Sequence, residues 1–270
     1  MTLSIAFLLQ TNEVTRLTTP LAHYARHGGY DIVDCTSRED LDIMSSAHWV
    51  NWSDYDIVIP YGSVQLIRRF RKTPLGHYIT HLENGYSANT WIAAFGDKAL
   101  NSGGQQMTAV DIAAHLNQHG SAHVRPMFED KALLARLFTP ESWAEHRGER
   151  VIRDDLEVFV SPPKVIEREY RCWVIDGKVI EISQYFEHGE LNNVLIEDPE
   201  VFGAAQSLAS IYLPAQAVVM DMAKTQEGFK FLEFNTFHCS GWYAGRVPKI
   251  MDAYIAWLKQ KHETNPGAFS

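Results

Sequence analysis

The chain has 270 residues, of which 46% are apolar and 21% charged, and its formal net charge is −9. These values are typical of a globular protein with one large domain or two to three small lobes. The negative charge argues against a surface that binds DNA or RNA through bulk electrostatics. No apolar run reaches the roughly 18 residues of a membrane span. Three widely spaced cysteines favour a reducing, cytoplasmic setting over a disulfide framework.

The first 95 residues alternate apolar runs with a helical stretch. Strands are predicted at Leu3–Leu9, Tyr30–Cys35 and Asp54–Pro60, and a helix is predicted at Val14–Arg26. This alternation indicates a small α/β lobe. The turn Tyr61-Gly62-Ser63 follows the third strand, at the kind of strand end where open α/β sheets bind ligands. A plain turn is the favoured interpretation there, and a ligand-binding turn is the alternative.

Basic residues in two places are candidates for binding an anion. The cluster Arg68–Lys72 stands out in an acidic chain, with a solvated helix face as the favoured interpretation and an anion-binding rim as the alternative. A short strand is predicted at His123–Pro126, because Pro126 ends the ladder. Arg125 would then lie on a strand and Lys131 just beyond the following turn. Both cations are placed to meet phosphates, although an ordinary surface position is the simpler explanation.

The middle of the chain ends at a pair of prolines. Apolar spacing predicts a helix that runs to about Gln118, and a strand is predicted at Leu156–Ser161. The highly charged stretch Arg147–Asp155 is typical of a loop or mobile flap. Because two consecutive prolines give a rigid, extended backbone, Pro162-Pro163 is a candidate crossing between two lobes.

A first hairpin is predicted around Asp176-Gly177, because Asp-Gly between alternating runs is the strongest short-range hairpin signal. A two-residue turn pairs Arg171 with Ile182 and Glu169 with Gln184. Glu169, Arg171 and Gln184 then share one face, where converging polar groups need partners. An ion pair between Glu169 and Arg171 is one interpretation. The other is a ligand that donates a hydroxyl to the acid and offers a phosphate to the arginine.

A second hairpin is predicted in the stretch 218–243. Two apolar runs flank its polar, glycine-containing loop, namely Val218–Ala223 and Phe229–Phe234. If Lys224–Gly228 forms a five-residue loop, strand alternation places Asp221, Glu233 and Asn235 on one face. Asp221 and Glu233 then become diagonal cross-strand neighbours, with Cβ atoms roughly 7–8 Å apart or somewhat less.

Two carboxylates and an amide oxygen on that face predict a divalent cation site. Unpaired carboxylates on a half-buried sheet would repel each other and lose solvation, whereas Mg²⁺ accepts one or two carboxylates together with substrate phosphates. Ordinary residues on a solvent-facing strand are the alternative. A regular four-residue connection without a bulge would turn Asp221 away from Glu233 and remove the basis for the site.

The C-terminal part contains two predicted helices and one small-residue turn. Apolar spacing predicts helices at Asp198–Ser210 and Val247–Leu258, the second packing on a core. The turn Cys239-Ser240-Gly241 allows a close approach of its backbone to a substrate, and Trp242 and Tyr243 are expected to wall it.

The order of these motifs resembles the ATP-grasp superfamily. Three motifs carry the resemblance: V-R-P at Val124–Pro126, E-Y-R at Glu169–Arg171 and D-x₁₁-E-x-N at Asp221–Asn235. Within the superfamily, the chain looks most like a clade found mostly in bacterial and phage sequences. That similarity rests on four further features: Y-G-S at Tyr61–Ser63, L-N at Leu100-Asn101, a lysine after V-R-P and a Ser-Gly turn after E-x-N. It covers most of the chain and is diffuse over residues 1–60 and 135–160.

The resemblance implies an ATP-grasp fold of the α+β / α/β class, in which two α+β lobes enclose ATP. An N-terminal α/β lobe is expected at residues 1–95, and a central ATP-grasp subdomain at residues 96–163. The C-terminal ATP-grasp subdomain, which contains the Mg²⁺-binding hairpin, is expected at residues 164–270.

The resemblance also implies roles for individual residues. The matched Mg²⁺ ligands are Asp221, Glu233 and Asn235; the ribose-binding acid is Glu169; the hinge at adenine contains Lys164, Ile166 and Glu167. Arg125 stands where most family members carry a phosphate-binding lysine, and Lys131 is a candidate to supply that lysine. Arg171 would face the γ-phosphate or an acyl phosphate, which makes Arg171 and Lys131 the candidate catalytic residues.

The implied activity is an ATP- and Mg²⁺-dependent ligase that joins a small-molecule carboxylate to an amine through an acyl phosphate. Phosphoryl transfer needs positioning and charge neutralisation more than covalent help, so the absence of an evident nucleophile fits this chemistry. A small-molecule kinase on the same fold and a non-catalytic nucleotide-binding module are the alternatives. The sequence indicates neither the identity of the two substrates nor the oligomeric state.

Overall fold

The structure is a computed structural model that describes residues 3–11, 15–35, 54–73, 75–76, 79, 88–127 and 133–264. The helices in this part of the chain are α1 (Thr15–His27), α2 (Val64–Phe70), α3 (Ala88–Phe95), α4 (Ile112–His119), α5 (Pro140–Glu149), α6 (Pro199–Ala209) and α7 (Val247–Thr264). Its strands are β1 (Ile5–Leu9), β2 (Asp31–Asp34), β3 (Ile57–Tyr61), β4 (Gln105–Thr108), β5 (Ala122–Pro126), β6 (Arg136–Phe138), β7 (Glu157–Ser161), β8 (Arg168–Ile175), β9 (Lys178–Glu187), β10 (Glu190–Ile196), β11 (Ala217–Thr225) and β12 (Gly228–Asn235).

The strands form three sheets. The first is parallel, with the order β2-β1-β3. The second has four antiparallel strands in the order β4-β7-β5-β6, and the third has five in the order β10-β9-β8-β11-β12. A short bridge between Ala99 and Phe231 connects the segment before β4 to β12. The second and third sheets therefore meet along one side, which creates a cleft between them.

The two faces of the five-stranded sheet pack in different apolar cores. Trp173 and Val219 belong to a core that also contains β1, β3 and α7, whereas Val174 and Val218 pack with α3 and α6. Alternate residues of a strand point to opposite faces, which explains the division. Arg171 and Asp221 have the same parity as Trp173 and Val219. They therefore extend the face that contacts the N-terminal lobe.

The strongly periodic helices are found where the sequence predicts them. The helix predicted at Val247–Leu258 continues to Thr264 and buries its apolar stripe against the first core. Asp198, at the start of a predicted helix, caps α6 by accepting a hydrogen bond from the Glu200 amide at 2.8 Å. Among the described residues, no helix combines the length and the apolar character that a membrane crossing requires.

Two segments of the middle region are more regular than expected. The charged stretch predicted as a loop begins inside α5, because Thr139 and Ser142 form a capping box that starts the helix at Pro140. Strand β6 was not predicted, since three residues provide too little alternation for a periodic signal. Strand β10 was also missed; it is an edge strand with exposed polar residues, and its pairing with β9 determines its conformation.

The turn after β3 packs on the C-terminal lobe. Ser63 caps α2, and the Tyr61 hydroxyl donates to the carbonyl of Ser240 at 2.7 Å. The Tyr61 ring also stacks on Trp242, with ring centroids 4.9 Å apart. The turn is therefore a structural contact between two lobes, in line with the favoured interpretation. Arg68 and Arg69 are exposed on α2, as a solvated helix face requires.

Candidate active site

The hairpin of β11 and β12 brings the predicted metal ligands together, but by a different register from the one expected. The predicted five-residue loop is wrong, because Thr225 pairs with Gly228 across a two-residue turn. A β-bulge at Leu232 then shifts the register by one residue, so that Asp221 pairs directly with Glu233. The two acids are opposite neighbours instead of diagonal ones. The bulge restores the shared face that a two-residue turn alone would have destroyed.

A row of charged side chains crosses three strands at this point. Arg171 on β8 pairs with Asp221 on β11, which pairs with Glu233 on β12. The guanidinium of Arg171 donates to both carboxylate oxygens of Asp221, at 2.9 Å from Nε and 2.7 Å from Nη2. The two side chains are buried, with 9% and 1% of their surfaces exposed. Such a bidentate contact fixes the guanidinium plane.

Two further groups complete the polar face. The side-chain amide of Asn235 donates to Asp221 at 3.0 Å and to Glu233 at 3.4 Å. From the other lobe, Nη2 of Arg125 donates to Glu233 at 3.3 Å, and its guanidinium lies 4.9 Å from the ring centroid of Trp91. The Arg125–Glu233 contact therefore spans the cleft between the second and third sheets. Nε of Arg125 is buried without a hydrogen-bond partner.

Burial dominates the electrostatics of this face. It raises the pKa of the Asp221 carboxyl above its usual value, and the guanidinium of Arg171 opposes that shift. Burial also lowers the pKa of Arg171, but the charge of Asp221 and its hydrogen bonds outweigh this effect and raise the pKa. The pKa of Glu169 is raised, mainly by burial and further by Asp221 and Glu233. Three acids and two arginines thus share a poorly hydrated region, which favours a bound cation.

The first hairpin also differs from its predicted register. The predicted pairs of Arg171 with Ile182 and of Glu169 with Gln184 are wrong, because β9 contains two bulges. Gln184 pairs with Tyr170 and faces the other side of the sheet, so Glu169 and Arg171 do not share a face with it. Tyr185 takes its place beside Glu169 and forms a hydrogen bond with that acid.

The small-residue turn lies against Arg171. The carbonyl of Gly241 accepts a hydrogen bond from Nη1 of Arg171 at 3.4 Å. Trp242 is buried between Tyr61 and Trp173, whereas Tyr243 is 43% exposed and stacks on Tyr185. The expected aromatic wall therefore has only one member at the surface.

A cleft of about 350 Å³ separates the second and third sheets. The predicted site residues in its wall are Arg125, Lys164, Ile166, Glu169 and Glu233. Glu167 is held by its backbone, which donates to Lys224 and accepts from His188, and it does not line this cleft. Lys131, predicted for phosphate binding and catalysis, lies outside the described residues.

Several cleft residues received no role from the sequence. Tyr185 and Leu232 occupy bulges, so the period-two pattern of a regular strand gives no indication of where they point. His123 precedes Arg125 by two residues, and this spacing on a strand was an available signal for a shared face. Burial lowers the pKa of His123 to about 4, and Arg125 contributes to that shift, so the imidazole is neutral near pH 7.

The donor set suits a hard cation such as Mg²⁺. Asp221 and Glu233 provide carboxylate oxygens on one face, and substrate phosphates commonly complete such a coordination sphere. In the described part of the chain, no three His, Cys, Asp or Glu residues lie close enough to hold a metal among themselves. The third protein ligand would be Asn235, whose amide nitrogen faces the two carboxylates. Its amide must rotate to offer the oxygen.

Comparison with protein families identifies the fold. A family model described as an ATP-grasp domain, clade family 3, matches residues 102–256, more than half of the 270-residue chain. The chain belongs to this ATP-grasp family. The matched region includes β5, β8, β11 and β12, which carry the polar face described above. A comparison with curated protein sequences finds no match.

Solved structures share the ATP-grasp fold along nearly the whole chain. The D-alanine–D-alanine ligase from Bacillus anthracis has 14% identity and a TM-score of 0.63, with 97% of this chain and 99% of that chain covered. The ATP-grasp ligase PsnB, complexed with a minimal precursor, has 13% identity and a TM-score of 0.61, with coverage of 96% and 100%. D-cycloserine synthetase DcsG has 13% identity and a TM-score of 0.58, with coverage of 94% and 99%. Both the expected superfamily and the expected fold class are confirmed.

Proposed function

We propose that this ATP-grasp chain is a Mg²⁺- and ATP-dependent ligase that joins a carboxylate to an amine through an acyl phosphate. The position of Arg171 carries the proposal. Its buried guanidinium is fixed by Asp221 and lies beside the carbonyl of Gly241, at the end of the cleft that holds the acidic face. A pre-oriented, permanently charged donor stabilises negative charge that develops during phosphoryl or acyl transfer.

The cleft offers a place for each part of the nucleotide. Lys164 and Ile166 line the end at the crossing between lobes, where they would contact adenine, with Glu167 in the same segment. Glu169 is proposed to accept from the ribose, and Arg125 to donate to phosphates, with Lys131 as a second phosphate contact. Asp221, Glu233 and Asn235 would hold Mg²⁺, which when bound neutralises phosphate charge. Solved complexes of the Bacillus anthracis ligase with ATP and of PsnB with Mg and ADP support these assignments.

The proposed reaction has two steps. A carboxylate oxygen of the first substrate attacks the γ-phosphorus, the bond to the β-phosphate oxygen breaks, and ADP leaves. The amine nitrogen then attacks the acyl carbon and loses a proton, and the C–O bond to phosphate breaks to give an amide and inorganic phosphate. Arg171 and Arg125 would hold the charged groups in line, and Lys131 would assist phosphoryl transfer.

The domain division into residues 1–95, 96–163 and 164–270 is part of the proposal. Its support is that each of the three sheets lies within one of these ranges. Small-molecule carboxylates and amines are the proposed partners, and the cytoplasm is the proposed location. The three cysteines are free, which is compatible with a reducing compartment.

An isotope experiment tests the chemistry directly. The protein is incubated with ATP, Mg²⁺ and pools of ¹⁸O-carboxylates and amines, and ADP, phosphate and products are followed by mass spectrometry. An acyl phosphate transfers one carboxylate oxygen to phosphate, so the expected result is ¹⁸O in the released phosphate together with a new amide.

Other results would replace the ligase proposal. A phosphorylated product without an amide would identify a kinase. Binding of ATP without ADP formation across the whole screen would identify a non-catalytic module. Unlabelled phosphate accompanying an amide would exclude the acyl-phosphate route.

A further inference from the structure

One part of the cleft wall, between Arg125 and the crossing at Pro162, has no assigned role. Asn101 and His123 both line the cleft there. Neither side chain carries a charge near pH 7, because burial holds the pKa of the imidazole at about 4. They thus differ from the arginines and acids at the other end of the cleft.

A single serine connects the two side chains. Ser161 on β7 is the cross-strand partner of His123 on β5, so the two point to the same face. The hydroxyl of Ser161 donates to Oδ1 of Asn101 at 3.1 Å, and both residues are buried. This contact fixes the amide of Asn101, and its amide nitrogen remains available on the side of the cleft.

Both side chains present an uncommitted donor. Within the described part of the chain, neither the amide nitrogen of Asn101 nor either ring nitrogen of His123 has a hydrogen-bond partner. Nδ1 of His123 is buried, which leaves Nε2 as the ring nitrogen with access to the cleft. A neutral imidazole that carries its proton on Nε2 donates one hydrogen bond into the cleft. Polar groups in such a wall are costly unless a ligand satisfies them.

Their position along the strands decides which part of a nucleotide they meet. His123 lies two residues before Arg125, about 7 Å along β5 at the usual rise per residue, and away from the Arg125–Glu233 contact. Ser161 immediately precedes Pro162, which also lines the cleft. The apolar side chains of Leu137 and Leu232 line the same cleft. These are the surroundings of a planar base and its sugar rather than of a triphosphate.

We propose that Asn101 and His123 bind the nucleoside half of the nucleotide, each donating a hydrogen bond to an acceptor atom of the base or ribose. The two residues thereby contribute to nucleotide selection. This inference rests on the proposed ATP-dependent function, and it adds two neutral contacts to the charged residues already assigned.

The test compares AMP, ADP and ATP in the presence of Mg²⁺, with affinities measured by calorimetry. His123→Leu removes the donor at similar volume and is expected to weaken all three ligands by the same factor, about three- to tenfold. His123→Gln places an amide near the position of Nε2 and is expected to restore most of the affinity. Asn101→Ala is expected to cause a loss in the same range, with its unfolding temperature recorded because Ser161 loses its acceptor.

Two controls separate this inference from the proposed function. Arg125→Met is expected to weaken ATP more than AMP, whereas the same leucine substitution at His119, which is exposed on α4, should change nothing. If Arg125→Met weakens ATP but His123→Leu binds all three nucleotides like the wild type, the inference fails and the proposed function stands. A loss for His123→Leu that grows with the number of phosphates also overturns it. If the wild type binds no nucleotide, both fail.

Discussion

At the scale of residues, Asp221 has two tasks that pull in different directions. It is a proposed Mg²⁺ ligand, and it is also the buried partner of Arg171, with hydrogen bonds of 2.9 and 2.7 Å. Removing one member of a buried ion pair leaves the other charge without compensation, which typically costs about 3–5 kcal/mol. Loss of activity in an Asp221 variant would therefore mix a metal effect with a folding effect.

Glu233 provides the cleaner test, because a third of its side chain is exposed and its contact with Arg125 is long, at 3.3 Å. Glu233→Gln is expected to weaken Mg²⁺-dependent nucleotide binding about tenfold or more while the free energy of unfolding changes by less than ~1 kcal/mol. Asp221→Ala is expected to lower that free energy by about 3–5 kcal/mol. Urea titrations and calorimetry with and without Mg²⁺ measure both quantities. Unchanged Mg²⁺ dependence in Glu233→Gln would contradict the metal assignment.

At the scale of elements, β-bulges decide which side chains reach the cleft. A bulge inserts one residue into a strand and changes the face of everything beyond it. The bulge at Leu232 lets two consecutive residues, Leu232 and Glu233, line the same cleft. In β9, a bulge likewise places Tyr185 beside Glu169 and moves Gln184 to the opposite face.

These bulges also mark the limit of what the sequence predicts. The Asp-Gly turn and its first pair, Ile175 with Lys178, follow from local turn chemistry. Alternation correctly groups Glu169 with Arg171, since they lie on the unbulged strand β8. Beyond the bulges, packing against neighbouring strands sets the register, and one sequence contains no direct signal of it. The shared face of Asp221 and Glu233 was predicted for an incorrect reason: an odd loop was expected where a bulge produces the same result.

Deletion of Leu232 tests the role of the bulge. Without this residue, the two-residue turn pairs Asp221 with Glu233 in a regular ladder, so the fold and the acidic face are expected to persist. The cleft loses an apolar wall, and affinity for a non-hydrolysable ATP analogue is expected to fall on the order of tenfold, because burial of a leucine side chain is worth about 1.5–3 kcal/mol. Leu232→Ala serves as the matched control, with a smaller loss. An unfolded deletion variant would show that the bulge is needed for the sheet itself.

At the scale of the whole molecule, one buried histidine connects the N-terminal lobe to the site-bearing lobe. Nδ1 of His238 donates to the carbonyl of Pro60 on β3 at 2.9 Å, and Nε2 accepts from the hydroxyl of Tyr254 on α7 at 3.1 Å. The amide of Gly62 donates to the carbonyl of His238 as well. Together with the stacking of Tyr61 on Trp242, these contacts hold the turn that carries Gly241 in place. The position of Arg171 therefore depends on how the lobes are joined.

Stability should depend on pH through this histidine. Burial lowers the pKa of His238 from its usual 6.5 to about 4, so the folded chain keeps the ring neutral while the unfolded chain protonates it. Between these values the unfolded state binds more protons, and the free energy of unfolding is expected to fall as the pH drops from 6.5 towards 4, by on the order of 3 kcal/mol. Urea unfolding at pH 7, 6, 5 and 4.5 measures it. His238→Phe, although less stable at pH 7, should lose this part of the slope; an unchanged slope would show that other groups cause it.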